Sequence, residues 1–223
     1  MLQNVTMRPV FCVFSPILVQ WAGREVHCMR EYPTRPEAER LLQESEQMNP
    51  GPWGDHCRVV AKCAEAIAKA CGDMDSDKAY VLGLMHDIGR RFGYGHLKHV
   101  YNGWRFMQEL NYPAAAKICL THSCCIPTLE VYIGRADIAP EQYQELSQAL
   151  SATEYDEYDQ LIQLCDAIGM ADGATDILTR MNDVKSRYGQ YPQAKWDKNL
   201  ELKDWFSKKA GQPVEEITAG IRP

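Results

Sequence analysis

The segment Ala79-Tyr80-Val81-Leu82-Gly83-Leu84-Met85 is apolar on every side and runs straight into His86-Asp87. A helix without a polar face has to lie in the middle of a bundle. An ionised carboxylate at the end of such a helix is costly unless it is paired or bound to a metal. A fold for this chain must therefore solve two problems in one place: it must cover the helix all round, and it must satisfy Asp87.

The rest of the chain supplies the covering helices. Thr34-Arg35-Pro36 precedes a helix of about 37–47, with Pro36 suited to its first turn. Asn49-Pro50-Gly51-Pro52 is a break. Asp55 is expected to cap a helix of about 56–71, in which His56, Val60, Cys63 and Ile67 share a face and Gly72 closes the end. Asp75-Ser76 is expected to cap the buried helix, about 77–90. After Phe92-Gly93-Tyr94-Gly95 come helices of about 97–110 and from Pro113 onward, then a loop with Pro127 and Gly134. Further helices are read at about 140–151, 155–170, 175–188 and 200–210. Val10–Trp21 is the one strand candidate, and no internal repeat occurs. The expectation is an all-α, single-domain bundle over 29–223 with its core at about 50–170. The C-terminal helices at about 175–220, with Trp196, Trp205 and Phe206, are read as a cap on it. Residues 1–28 read as an appendage, with Met29 opening the more conventional sequence.

Composition narrows the partners. Apolar residues make up 45% of the 223, enough to bury a core. The net charge of −6 and the lack of a Lys/Arg run argue against a nucleic-acid duplex as partner. The longest apolar stretch, Pro9 to Gly23, is too short to span a bilayer. Nine cysteines occur without a paired C-x-x-C spacing, which points to free thiols in a reducing, cytoplasmic setting. The vicinal Cys124-Cys125 is read as two small residues at a helix end. The segment of about 124–151 is expected to shape a pocket mouth.

The histidines carry the functional reading. Of the six, His56, His86, His99 and His122 fall on apolar sides of four successive helices. Each buried imidazole needs a partner for both ring nitrogens. A shared metal centre satisfies all of them at once. Asp166 repeats the problem of Asp87, interrupting the core-like run Leu161-Ile162-Gln163-Leu164-Cys165-Asp166-Ala167-Ile168. Imidazoles with carboxylates suit Fe, Mn, Zn, Co or Ni.

The order His56, His86-Asp87, Asp166 resembles the H…HD…D signature of the HD superfamily, and Leu84-Met85-His86-Asp87-Ile88-Gly89-Arg90 resembles that family's helix ending in H-D-x-G/A-K. His99-Val100-Tyr101-Asn102-Gly103 resembles the H-x-x-x-G element of members that hold two metals, and Leu120-Thr121-His122-Ser123 their next helix-end histidine. The resemblance implies a helical, metal-dependent phosphohydrolase. One divalent ion would take His56, His86, Asp87 and Asp166; a second would take His99 and His122, with Asp87 bridging. The order is similar to HD hydrolases of diadenosine tetraphosphate. It is also similar to cyclic-dinucleotide phosphodiesterases, whose Gly-Tyr-Pro signature does not occur here. Asp87 and Arg90 are the candidate catalytic pair, where the family often has Lys after H-D-x-G. Arg90, Arg91 and Lys98 are candidates to bind a substrate phosphate. The implied partner is a small phosphorylated molecule, a nucleotide or dinucleotide. Two alternatives share this pattern: an HD-type diiron oxygenase, and a non-catalytic nucleotide-binding HD module. His27 and His96 are read as solvated loop residues.

Overall fold

The computed structural model describes residues 30–223. The expected appendage, the strand candidate Val10–Trp21, His27, Cys12 and Cys28 lie outside the described residues. Within them the fold is all-α, in the order α1 Arg35–Met48, α2 Trp53–Cys71, α3 Ser76–Met85, α4 Leu97–Glu109, α5 Pro113–Thr121, α6 Pro140–Ser151, α7 Glu157–Ile168, α8 Ile177–Tyr188, α9 Gln193–Ala210 and α10 Val214–Ile217. Short 3-10 segments cover Ile88–Phe92 and Leu129–Val131. One apolar core runs from Ala38 to Val214, so helices α1 to α10 pack around common ground.

Local chemistry sets most boundaries. Thr34 and Glu37 bond each other at the start of α1, where Pro36 also sits. The Asp75 carboxylate accepts from the Asp77 and Lys78 amides and opens α3. Gly72 ends α2 in the left-handed conformation at φ 80°, which costs glycine least. Among the acids of 73–77, Asp77 pairs with Arg35 and Asp73 with Lys209, so that cluster is structural.

Helix α3 is buried from Ala79 to Met85, with α1, α2, α5 and α7 packed on it. Its close approach to α2 depends on Gly83, whose added Cβ would sit 2.8 Å from the Ala61 Cα. The ladder between α5 and α7 is polar. Asp159, fully buried, accepts from Thr121 Oγ1 at 2.7 Å and pairs with Lys117 at 2.6 Å. This network fixes α5 and α7 against each other, and their C-terminal ends carry His122 and Asp166.

Several boundaries differ from the sequence reading. Asp55 lies within the first turn of α2 and pairs with Arg58; Pro52 occupies the cap position, because the helix starts earlier, at Trp53. Helix α3 ends at Met85, not near Arg90. The chain then turns through His86 and Asp87 into the 3-10 segment, and Cys119 Sγ donates to the freed Met85 carbonyl. Helix α9 starts at Gln193, well before Leu200, and the small antiparallel pair Gly169–Met170 with Gly173–Ala174 had no signal in the pattern. Among the described residues no helix is long and apolar enough to cross a membrane. Cys124 and Cys125 are free and buried, and burial pushes both thiols up, that of Cys124 to about 12. They act as small hydrophobes rather than as a reactive pair.

Two glycines explain how the 3-10 segment meets α4. An added Cβ on Gly89 would lie 1.9 Å from the His99 carbonyl oxygen and 2.4 Å from the Gly103 nitrogen. Gly103 faces back, 3.1 Å from the Gly89 nitrogen by the same measure. The contacts are backbone and cannot swing aside. Gly89→Ala is therefore expected to destabilise the protein by about 1–3 kcal/mol in urea unfolding, and to weaken metal retention by displacing His99. An unchanged midpoint and metal content would refute this packing.

Candidate metal centre

The ends of α2, α3, α4, α5 and α7 bring six side chains together. His56 comes from the first turn of α2. His86 and Asp87 follow the end of α3, His99 lies in the first turn of α4, His122 caps α5, and Asp166 sits in the last turn of α7. They form two groups, His56–His86–Asp166 and Asp87–His99–His122, in each of which one potential ligand atom per residue lies within 4.8 Å of the others. All six residues expected to ligate metal are therefore gathered in one place. His86, Asp87, His99 and His122 are buried.

Asp87 sits between the groups. Its Oδ1 is 3.0 Å from His99 Nε2 and 3.5 Å from His122 Nε2, while its Oδ2 is 3.9 Å from His86 Nε2. Arg90 Nε donates to that same Oδ2. His56 Nε2 and Asp166 Oδ1 are 3.0 Å apart, and the His56 and His86 Nε2 atoms 3.2 Å.

The backbone fixes the tautomers. Nδ1 of His86 donates to the Gly83 carbonyl at 2.7 Å, and Nδ1 of His122 to the Cys119 carbonyl at 3.0 Å. Nδ1 of His99 donates to the His96 carbonyl. With the proton on Nδ1, each neutral ring presents a bare Nε2 lone pair. Metal-bound histidines are oriented in this way. In the first group, a proton on His56 Nε2 can serve Asp166. The second group has no such donor. His99 Nε2 and His122 Nε2 face each other at 3.3 Å, both as acceptors, and both face Asp87 Oδ1. That oxygen is buried and has no hydrogen-bond partner among the described residues. Three converging buried acceptors repel one another unless a cation lies among them. The donor set, four imidazoles and two carboxylates with Asp87 between the groups, fits divalent transition metals.

Electrostatics agree with that demand. Burial raises the Asp87 carboxyl, yet Arg90, His99, His86 and the contact with His122 outweigh it and hold Asp87 well below the usual carboxylate range. Asp166 is likewise held down against burial, chiefly by the hydrogen bond to His56. Burial, with smaller contributions from His122 and His56, pushes His86 down to about 4 against the pull of Asp87 and Asp166. Burial and the Arg90 charge also lower His99. The site thus favours bare nitrogens and ionised carboxylates, the ligating forms.

A cavity of ≈ 730 Å³ opens onto the centre, with His56, Asp87, His99, His122 and Asp166 in its lining. Arg90 lines it too, and with its Nε given to Asp87 it keeps both Nη atoms for a ligand. The other two expected phosphate binders are elsewhere. Arg91 lies 4.1 Å above the Phe106 ring and donates to Met48 Sδ. Exposed Lys98 is outside the lining, its amide bonded to Asp137. Each lies next to a site residue in sequence but points off its helix or turn in another direction. From the expected pocket mouth, Cys125, Tyr132 and Ile133 line the cavity, whereas α6 does not.

Sequence reasoning missed the opposite wall. Arg180, Asp183 and Arg187 of α8, Lys195 and Asn199 of α9, and Tyr188 and Tyr191 beside them line the cavity, so these helices do more than cap the bundle. The signal was weak, since charged residues on an amphipathic helix read as a solvated face. His96 lines the cavity as well, ring-to-edge with Tyr94 and Tyr188.

Two outcomes are expected from this geometry. Elemental analysis is expected to find about two metals per chain, falling to about one in His99→Ala combined with His122→Ala. His86 resists protonation when folded, its pKa lying below the ordinary value near 6.5. Its contribution to stability is present above that value and is lost as pH falls toward 4. Thermal unfolding of metal-stripped protein is expected to show a midpoint that drops across this window. A flat profile would argue against a buried neutral His86.

Searches of curated proteins and of solved structures returned no match. The family model described as HD domain matches residues 53–171, more than half the chain, and this span holds every member of both groups. HD domains bind divalent metals and generally serve metal-dependent phosphohydrolases. With the helical fold and the gathered His and Asp residues, this match establishes that the chain belongs to the HD domain family.

Proposed function

We propose that this protein hydrolyses a phosphate ester or anhydride of a nucleotide or dinucleotide, by in-line attack of water at a centre of one or two divalent ions. The observation that carries this reading is the position of Asp87. One oxygen faces His99 and His122, the other faces His86 and Arg90, and the whole lies in the lining of a cavity. A bound divalent metal would supply a water acidic enough to be a nucleophile near neutral pH and would offset charge on the phosphate.

The chain's own residues do the rest. His56, His86 and Asp166 would form one binding group and His99 with His122 the other. Asp87, between them, would set their spacing. Arg90 holds Asp87 through Nε, and its free Nη atoms suit bidentate contact with a phosphate oxygen pair. The burial of the floor keeps bulk water from competing. A cavity of ≈ 730 Å³ lies in the upper part of the range for small-molecule sites, so it holds more than a lone phosphate. A dinucleoside polyphosphate, the substrate type implied by the two extra histidines, is the member of this class we favour.

Metal-loaded protein is expected to release phosphate or a mononucleotide in a screen of nucleotides and dinucleotides, with no oxygen uptake. Asp87→Asn keeps the shape of the side chain and is expected to cut turnover on the order of 10²-fold or more, with loss of metal. Arg90→Lys cannot grip Asp87 and a phosphate together, and KM is expected to rise roughly tenfold or more. Full activity in Asp87→Asn would end the mechanism. Oxygen consumption in place of hydrolysis would move the protein to the diiron oxygenases, and binding without turnover to a nucleotide-binding module.

A further inference from the structure

The wall formed by α8 and α9 lies beyond residue 171, where the family match ends, so it belongs to this chain's own C-terminal part. Its charges are not balanced. Asp183 is shared by Arg180 at 3.0 Å and Arg187 at 2.7 Å, one carboxylate for two guanidiniums. Lys195 has no carboxylate partner among the described residues; its Nζ donates at 2.7 Å to the carbonyl of Ser123. That contact fixes where the ammonium is. Ser123 follows His122 directly, so Lys195 stands one residue from the metal centre, with hydrogen-bonding capacity left.

The same turn is gripped from α7. Gln163 Nε2 donates to the carbonyls of Thr121 at 3.1 Å and Cys124 at 3.4 Å. This fixes which way the amide points and leaves Oε1 buried without a partner among the described residues, in a residue that lines the cavity. Arg180 also keeps a buried Nε without an acceptor among the described residues. Buried polar groups left unpaired in a cavity wall are either a cost with no return or a place for a ligand. Cations of this kind, facing a metal centre across one cavity, suit a chain of phosphates: one group at the metals, and the next against the wall.

Resting on the hydrolase reading above, we propose that Lys195 and Arg180 form a second anion subsite, which holds a phosphate that is not the one attacked. The substrate then carries at least two linked phosphates, and simple monophosphates bind poorly. Arginine offers a planar fork to phosphate oxygens and lysine a compact charge, so the two complement each other.

Calorimetric titration of the metal-loaded protein with inorganic tripolyphosphate and with orthophosphate tests this directly. The wild type is expected to prefer tripolyphosphate by about tenfold or more, the scale of one charge-assisted contact. Lys195→Gln and Arg180→Gln are each expected to shrink that ratio severalfold, and the double variant to bring it to about one, with metal content retained. Lys195→Arg keeps the charge and is expected to keep the preference; should the double variant fail to fold, the contrast between this and Lys195→Gln decides. No preference in the wild type, or a preference that survives both substitutions, overturns the subsite. Release of phosphate or mononucleotide from nucleoside triphosphates and dinucleoside polyphosphates by the wild type is scored separately. A ratio that collapses as expected without any turnover would leave the subsite standing and remove the hydrolase reading; turnover with an insensitive ratio would do the reverse.

Discussion

The structure depends on one buried carboxylate. Asp87 has almost no exposure, and it touches Arg90 through one oxygen and two histidines through the other. In an apolar core such a charge is tolerated only with compensation arranged around it. Much of the fold can be understood as that compensation. Helix α3 stops at Met85 so that Asp87 can leave the helical path, and the 3-10 turn that follows brings Arg90 back onto it. The pairing of Gly89 with Gly103 lets α4 approach closely enough to deliver His99.

Each of the six gathered residues stands at or near a helix end, and that placement has a physical use. Helix-end carbonyls lack intrahelical partners. Here such carbonyls, at Gly83 and Cys119, take the Nδ1 protons of His86 and His122. One set of contacts therefore satisfies the backbone, sets the tautomer and aims the opposite nitrogen inward. The buried pair of Thr121 and Asp159 holds α5 against α7, so His122 and Asp166 keep their relation without contact between them. The centre is built on rigid elements and is held by groups that never touch the cavity.

The cavity has two unlike sides. Its floor comes from the family-matched span and supplies nitrogens and carboxylates. Its far wall comes from α8 and α9 and supplies cations and aromatic rings. The floor is the part shared with the family, and the wall lies outside the family-matched span.

The sequence by itself determined the helical class, the buried helix α3 and most caps, and it marked the six His and Asp residues that the fold gathers together. These are local or periodic properties: a face repeats every few residues, Pro and Gly punctuate, and a charge inside an apolar run stands out whatever it later meets. It did not determine where α3 ends, because Ile88 to Phe92 fit a helical continuation equally well until Gly89 has to meet α4. Nor did it separate Arg90 from Arg91. Both are arginines after a helix, and only the direction of the turn decides that one grips Asp87 while the other lies on Phe106. The C-terminal wall was hidden for the same reason. Arg180 and Lys195 sit on amphipathic helices whose polar faces look solvated, and only the docking of α8 and α9 over the centre turns those faces toward a cavity. Residue type and spacing fix which groups cannot bear burial alone; which groups meet is fixed by contacts between distant elements, and those exist only once the chain has folded.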